Sequence, residues 1–418
     1  MSWVGVLVLV AVPAAFGAVE GQLYGFHPYI SLQEEYNDNI YLTQDNTKGD
    51  FITTVYPGLK YTAKGTGYNF ELDYKLGLNS YASESQNNYI SHEGRLSTNY
   101  SFNPSWTVRL NDTLTRSREG IESYTVTTAT GQQSNVASSS GQSLYLRHIF
   151  EPALEYKFGK EDLISLQYRN MIYQNEGGTG EDSTENSISP HLAYWLNIHN
   201  GITLDYTYST AQFETQPDWV GNSVTGKYLY RFNPRTTVFG AYSFSMKEIQ
   251  SPGINYSVHT PKIGLEHAFS PTLKLQAGFG WFLQEAVTGT SFDGPVYNLS
   301  ITQSLQRTDY TLALEGGYRE QYFTADNLGF SKYNQVRVNV THKLWERTSV
   351  GLTGTLSQDE YQNPDRIDWT WGLTGNLSYQ PLKWLTVSLE ASSRARDSDL
   401  SGTSYQENRV FLKLTAEY

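Results

Sequence analysis

The chain has 418 residues, no cysteine, 35 glycines, 32 tyrosines and only 17% charged residues. Its mean hydropathy of −0.48 excludes a bundle of apolar transmembrane helices, and no amphipathic helical periodicity is visible after residue 20. The formal net charge of −12 argues against a nucleic-acid-binding protein, which would carry a basic face.

The first residues, MSWVGVLVLVAVPAAFGAVEGQ, are typical of a secretory signal peptide. Residues 4–12 form a short apolar core, and residues 15–17 offer a small-x-small cleavage site. The alternative is a membrane anchor, which needs roughly 20 apolar residues and therefore more than this run contains. We predict a signal peptide over residues 1–17, a short periplasmic segment over 18–27 and one domain over 28–418.

Apolar and polar residues alternate strictly in YNFELDYKLGLNSY, residues 68–81. Successive side chains of a strand point to opposite faces, so this segment predicts a strand with one apolar face and one polar face. The same pattern returns in TLKLQAGFGWFL (272–283), NQVRVNVTHKL (334–344) and DWTWGLTGNLSY (368–379). In DYTLALEGGY (309–318) the predicted apolar face carries Tyr310, Leu312, Leu314, Gly316 and Tyr318.

Alternation of this kind predicts about twenty strands, within a range of about 18–22. An even number is what a single-chain bacterial outer-membrane barrel requires, and each run is near the 9–11 residues of a tilted spanning strand. The predicted strands are 28–36, 51–62, 68–80, 90–102, 106–116, 143–158, 163–174, 186–198, 202–213, 222–232, 236–247, 256–269, 272–284, 295–306, 310–321, 332–345, 347–358, 368–380, 384–394 and 406–418.

Short and long connections alternate along the chain. Turns such as 103–105, 233–235 and 270–272 are tight, whereas 117–143 and 174–186 are long and polar. Aromatic residues gather beside the tight turns, as Tyr100, Phe102, Trp106, Tyr156, Phe158, Tyr230, Phe232, Phe269, Trp345, Tyr379 and Trp384 do. One such cluster would fit a soluble sheet edge, but their repetition favours an interfacial girdle and lipid on the apolar face.

The chain ends in VFLKLTAEY, with Tyr418 last, which resembles the C-terminal signal that hands barrels to the outer-membrane assembly machinery. We therefore predict an all-β, transmembrane, antiparallel up-and-down β-barrel with short periplasmic turns and longer outer loops. The predicted location is the Gram-negative outer membrane, where the barrel contacts lipid and lipopolysaccharide.

A barrel of this size is too wide for side chains alone to fill, so we predict a lumen that residues 117–143 could close. Its predicted wall carries both charge signs. The candidate selectivity residues are Arg95, Arg109, Arg147, Arg169, Arg337 and Arg409. The alternative is that these are solvated wall residues in ion pairs. Tyr, Asn, Ser and Thr on the wall suit a hydroxylated substrate, but they suit water as well.

Catalytic chemistry is not predicted. No Ser/His/acid set clearly meets on one wall, and no metal-ligand spacing such as HExxH occurs. The acidic EEYNDN, residues 34–39, lacks the spacing of a known calcium loop. We therefore expect no enzyme activity, cofactor or metal.

The segments SLQEEYNDNIYLT (31–43) and DFITTVYPGLKY (50–61) resemble the opening of the outer-membrane "β-barrel porin 2" group. That group has a strand ending in E-Y-x-D-N-I and then D-x-I-T-x-V-x-P-G. Its members are similar to proteins encoded with exopolysaccharide or exosortase systems. The resemblance implies a pore for polar solutes, a saccharide or exopolysaccharide, with periplasmic export components as partners. The alternative is a non-transporting scaffold or assembly partner of a secretion complex, with a lumen closed by loops.

Overall fold

Twenty strands form one antiparallel sheet in the computed structural model, which describes residues 23–118, 124–127, 133–136, 143–176, 181–288, 291–321, 329–362 and 365–418. The predicted signal peptide lies outside the described residues. Every predicted strand is present, and β1 begins at Leu23, before the predicted start at residue 28.

The strands follow one another along the chain, and β6 and β7 form a separate small sheet. The bounds are β1 Leu23–Asn37, β2 Asp50–Gly65, β3 Tyr68–Tyr81, β4 Tyr89–Ser101, β5 Trp106–Ser117, β6 Tyr124–Thr127, β7 Gln133–Val136, β8 Tyr145–Lys157, β9 Leu163–Asn175, β10 Ser183–Trp195, β11 Asn200–Phe213, β12 Trp219–Asn233, β13 Thr236–Ile249, β14 Tyr256–Ala268, β15 Leu273–Ala286, β16 Ser291–Ser304, β17 Thr308–Gln321, β18 Gly329–Trp345, β19 Thr348–Gln362, β20 Asp365–Leu382, β21 Leu385–Ser398 and β22 Tyr405–Glu417. A 3-10 turn spans Ser85–Asn87.

The sheet is closed. Each barrel strand pairs with the next, β5 pairs with β8, and the last strand, β22, pairs with β1 from Tyr29↔Glu417 to Asn37↔Arg409. The predicted up-and-down barrel is therefore confirmed. Connections at one end, here called the turn end, have two to five residues. Those at the other end, the loop end, reach 27 residues over 118–144, although 363–364 is as short as any turn.

The barrel is apolar outside and polar inside. On β1, Ile30 and Leu32 are 54% and 46% exposed on the outer face, whereas Ser31 and Gln33 are buried inside. The other strands likewise direct apolar side chains outward and polar side chains inward, because side chains alternate between the two faces of a strand. The aromatic residues beside the tight turns, such as Phe102, Trp345 and Trp384, are exposed on the outer surface as a girdle requires.

One part of the wall departs from this pattern. Residues 317–320 of β17 and 329–333 of β18, here called the inner flap, lie inside the barrel. Tyr318 and Phe330 of the flap pack on Phe282, which is fully buried on the inner face of β15. The prediction that Tyr318 faces lipid is wrong, because the strand leaves the wall after Gly316 and its outer face turns onto the inner wall.

The small sheet of β6 and β7 belongs to the long connection between β5 and β8. β7 contacts β17, which is separated from that connection by nine barrel strands on one side and ten on the other. The connection therefore reaches across to the opposite side of the ring, as the predicted closing segment would.

No helix among the described residues is long and apolar enough to cross a membrane.

Lipid exposure of the outer face can be tested on β20. We expect Leu373→Arg, on the exposed outer face, to lower the free energy of unfolding by about 2–4 kcal/mol, because a cation near the bilayer centre is costly. Thr374→Arg, one residue along and on the inner face, is the matched control and is expected to cost less than about 1 kcal/mol. The measurement is urea unfolding in lipid vesicles, and equal losses in both variants would contradict the assignment of faces.

Candidate functional site

The lumen narrows towards the loop end. Polar side chains near that end are buried, as Glu35, Asp368 and Glu407 are at 3%, 2% and 2% exposed. Inward side chains nearer the turn end, such as Arg95 and Arg337, are exposed. The inner wall therefore has a wide half at the turn end and a packed half at the loop end.

All six predicted arginines lie on the inner face, but they do not form one site. Arg109, Arg169 and Arg409 are paired with carboxylates on neighbouring strands. Arg169 Nε lies 3.2 Å from Glu151 Oε1, and Arg409 Nε lies 2.7 Å from Glu35 Oε1. These pairs largely neutralise three of the six charges at close range.

The other three arginines differ among themselves. Arg95 stands opposite Asp73 in the strand register and makes no hydrogen bond or ion pair with the described residues. Arg337 is exposed and donates one hydrogen bond to Gln335 at 3.2 Å. Arg147 is partly buried and interacts with its surroundings. Arg95 and Arg337 are therefore the predicted cations that a solute in the wide half would meet without a paired carboxylate.

The packed half contains further charged pairs that are not among the predicted site residues. Arg319 Nη1 lies 2.6 Å from Asp359 Oδ1, with side chains 5% and 7% exposed, and Arg394 pairs with Glu407. Arg394 and Glu407 occupy inward positions of their strands, so alternation was a signal that could have found them. No such signal existed for Lys247 and Glu320, which meet at 2.9 Å from strands four apart in the ring.

Cations lie over aromatic rings along the packed half. The Arg319 guanidinium is 3.8 Å from the Tyr333 ring centroid, and Lys332 Nζ is 3.9 Å from the Phe292 centroid. Arg366 is 4.6 Å from Tyr361 in the same way. Each cation is thus attracted to the face of an aromatic ring, which stabilises its charge within the packed half.

One histidine on the inner wall bears on catalysis. His191 hydrogen-bonds Asp205 across β10 and β11, and Ser165 stands opposite His191 on β9. Ser165 and His191 form no hydrogen bond with each other. The strand register thus places the three side chains on neighbouring strands, but they are not connected as a catalytic triad would be. Among the described residues, no group of three His, Cys, Asp or Glu side chains is placed to hold a metal ion.

The first two loops are tied together outside the membrane-spanning strands. The Glu84 carboxylate accepts hydrogen bonds from Lys48 Nζ and from the Tyr41 hydroxyl, both at 2.9 Å. The hydrogen bond from Lys48 holds the pKa of Glu84 below its usual value, with a further contribution from Tyr41. The same partner raises the pKa of Lys48. The link is therefore intact at neutral pH and joins 38–49 to 82–88.

The comparisons with known proteins agree with this architecture. Residues 306–418 match the family model described as "Putative beta-barrel porin 2". The predicted resemblance is thereby confirmed, on β17–β22 rather than on the N-terminal motifs that suggested it. The matched range includes the inner flap. A search of the curated proteins finds no match to this chain.

Three solved structures show the fold shared by such barrels. The FrpB iron transporter of Neisseria meningitidis has a TM-score of 0.56 at 7% identity, covering 94% of this chain and 82% of that one. The siderophore receptor PiuA of Acinetobacter baumannii has 0.51 at 8%, with coverages of 94% and 82%. The ferric enterobactin receptor PfeA of Pseudomonas aeruginosa, as a mutant with enterobactin, has 0.51 at 10%, with 94% and 81%. The chain thus has the fold of outer-membrane β-barrels, and its last six strands match the family model of the β-barrel porins.

The buried pair of Arg319 and Asp359 is expected to be costly to break. Asp359→Asn leaves the buried Arg319 charge uncompensated, and we expect the free energy of unfolding to fall by about 3–5 kcal/mol. Replacing both residues, as Arg319→Met with Asp359→Leu, should restore most of that loss. Urea unfolding in vesicles measures both variants. A double variant as unstable as the single one would show that the cost is not an unpaired charge.

Acidification should release the loop link. The pKa of Glu84 is lower in the folded protein than in the unfolded chain. The stabilisation that ionised Glu84 gives to the link is therefore complete above the unfolded-state pKa. It is lost as the pH falls through the folded-state pKa. A spin label on Asp45→Cys should therefore become more mobile between about pH 5 and pH 3. In Lys48→Gln the label should already be mobile at pH 7, and a label insensitive to both changes would contradict the link.

Proposed function

We propose that this barrel is an outer-membrane channel that passes polar solutes of the saccharide class, with exopolysaccharide export as its role. The observation that carries the proposal is the polar inner wall of the wide half, where exposed inward side chains include Arg95, Arg337 and Asn339. Amide and guanidinium groups of this kind can replace the hydrogen bonds that a sugar makes with water.

Passage would depend on many weak contacts. Conduction requires sites favourable enough for entry and weak enough for release. Exposed side chains in the wide half, including Arg95, Arg337 and Asn339, would meet a solute first if the turn end faces the periplasm.

The charges of the lumen wall would give the channel a mild preference among solutes of different charge. Because Arg95 and Arg337 have no paired carboxylate, they would favour neutral or moderately acidic solutes over cations. The remaining predicted arginines contribute less, since their pairs with Glu155, Glu151 and Glu35 cancel much of the field.

A specific observation favours a second function. The contact of β7 with β17 across the ring, together with the packed loop half, suits a closed barrel that serves as a scaffold or assembly partner of a periplasmic secretion complex. In that case the wall charges stabilise the barrel and select nothing.

We propose that the barrel has partners at its turn end and around its outer face. Tyr418 is 93% exposed at the turn end, where the assembly machinery could bind the last strand during insertion. Lipid and lipopolysaccharide would surround the outer face, and periplasmic export components would deliver the polysaccharide. We propose no enzyme activity and no cofactor.

Conductance in planar bilayers tests the channel. We expect steady current steps from the refolded protein that oligosaccharides reduce, and folded protein without any conductance would leave the scaffold as the better function. Arg95→Gln and Arg337→Gln should each lower the conduction of anions roughly threefold, since a unit charge about 7 Å from an ion in water is worth about 0.6 kcal/mol. Arg116→Gln removes the same charge from the outer face and should leave the conduction of anions unchanged.

A further inference from the structure

The wall has a seam between β16 and β17. These strands pair only from Tyr297↔Gly316 to Ser304↔Asp309. Residues 291–296 of β16 pair with β15 on one side and with no described residue of β17 on the other. An unpaired strand edge is unusual for a barrel wall, because backbone groups facing hydrocarbon need partners.

A proline lies near the point where the pairing stops. Pro295 pairs in register with Trp281 of β15, whereas the β17 ladder ends two residues away, at Tyr297. Pro295 has no N–H to donate to a neighbouring strand. Four other strand prolines also interrupt one ladder each, namely Pro57, Pro152, Pro190 and Pro261. In those ladders pairing resumes beyond the proline, whereas at the seam it does not.

Glycine forms the last pair at the seam. Gly316 forms the last pair with Tyr297, whose ring lies so close that a Cβ on Gly316 would sit 2.4 Å from it. The Tyr297 hydroxyl then reaches Asn334 on β18 at 2.7 Å. This contact holds the base of the flap from outside, while Gly317 leaves the wall immediately after it.

Inside the barrel the flap has two kinds of contact. Tyr318 and Phe330 stack on each other at 5.2 Å and contact Phe282 at 5.0 and 5.9 Å between ring centroids. At the edge of this cluster, Glu320 accepts a hydrogen bond from the Tyr256 hydroxyl at 3.0 Å and lies 2.9 Å from Lys247. Against the inner wall, the flap is thus held by an apolar cluster and one charged latch, the pair of Lys247 and Glu320. On its other side the flap stays joined to β19, because residues 331–333 pair with that strand and Arg319 pairs with Asp359.

We propose that the inner flap is the gate of the channel, and that it opens by leaving the lumen and pairing with the free edge of β16. This inference rests on the proposed channel function. Continuing the observed register places residue 318 opposite 295 and residue 320 opposite 293. In the outward state the flap pairs with the unpaired backbone groups of the β16 edge and leaves the lumen free. In the inward state it fills the lumen beside β13–β16.

The charges at the seam set the resting position. In the outward state Glu320 would face Asp293, and like charges on directly opposed residues destabilise a strand pair. In the inward state Glu320 meets Lys247 instead. The closed state is therefore the favoured one, and passage needs an event that overcomes this latch.

Two cysteine pairs distinguish the states, because the chain contains no native cysteine. Lys247→Cys with Glu320→Cys reports the inward state through a short bifunctional thiol reagent. Asp293→Cys with Glu320→Cys reports the outward state through a direct disulfide, which directly opposed residues allow. Each pair is compared with its single-cysteine variants, before and after cross-linking, in planar bilayers.

We expect both pairs to cross-link. Joining 247 to 320 should lower the conductance at least fivefold, and joining 293 to 320 should raise it, with reductant reversing the disulfide. A 293–320 disulfide that never forms in folded protein would show a fixed flap and overturn the gate. Equal conductance in both cross-linked states would also overturn it. If the flap moves but no variant conducts, the gate and the channel are both excluded, and the mobile flap then belongs to the scaffold.

A latch variant gives an independent measure. Glu320→Gln should increase the open fraction and raise the conductance, because it removes the charge that meets Lys247. Glu266→Gln removes a carboxylate from the Lys227 pair, on the inner face of β14 and away from the flap, and should leave gating unchanged. Similar effects of both substitutions would show that lumen charge, and not the latch, controls the current.

Discussion

The structure depends on one requirement, that a backbone N–H or C=O group in hydrocarbon must find a partner within the protein. A sheet meets that requirement only by closing on itself, and the pairing of β22 with β1 achieves it here. Closure dictates the rest of the pattern. Each strand must present apolar side chains outward and polar ones inward, so the buried interior is built from residues that a soluble protein would leave exposed.

The inner wall balances two needs. Uncompensated charges attract solutes, but buried charges without partners destabilise the barrel. The protein separates these needs along its axis. In the packed half nearly every inward charge that we describe has an opposite charge nearby, as Arg319 has Asp359 and Arg394 has Glu407. Cations without a paired carboxylate, Arg95 and Arg337, lie where the lumen is wide and hydration replaces a protein partner.

At the seam the barrel wall is left partly unpaired, and this is the place where the proposed gate would move. Pro295 weakens one ladder at the point where two glycines let the neighbouring strand bend away. The cost of an unpaired edge is offset inside by the aromatic cluster around Phe282 and by the pair of Lys247 and Glu320. Two packings of comparable energy are what a switch requires.

Much of this protein was determined by its sequence alone. Period-two alternation predicted all twenty strands and the inner position of all six arginines, because the two-residue repeat of a strand is a local property of the chain. The same repeat placed Leu373 and Trp371 correctly towards lipid. It misplaced Tyr318, since alternation records which side of a strand a residue occupies but not where the strand itself goes. Whether an arginine is neutralised, or a flap fills the lumen, depends on residues distant in the chain. Lys247 and Glu320 are brought together only by the closed ring and the broken β16–β17 ladder, so only the tertiary structure decided them.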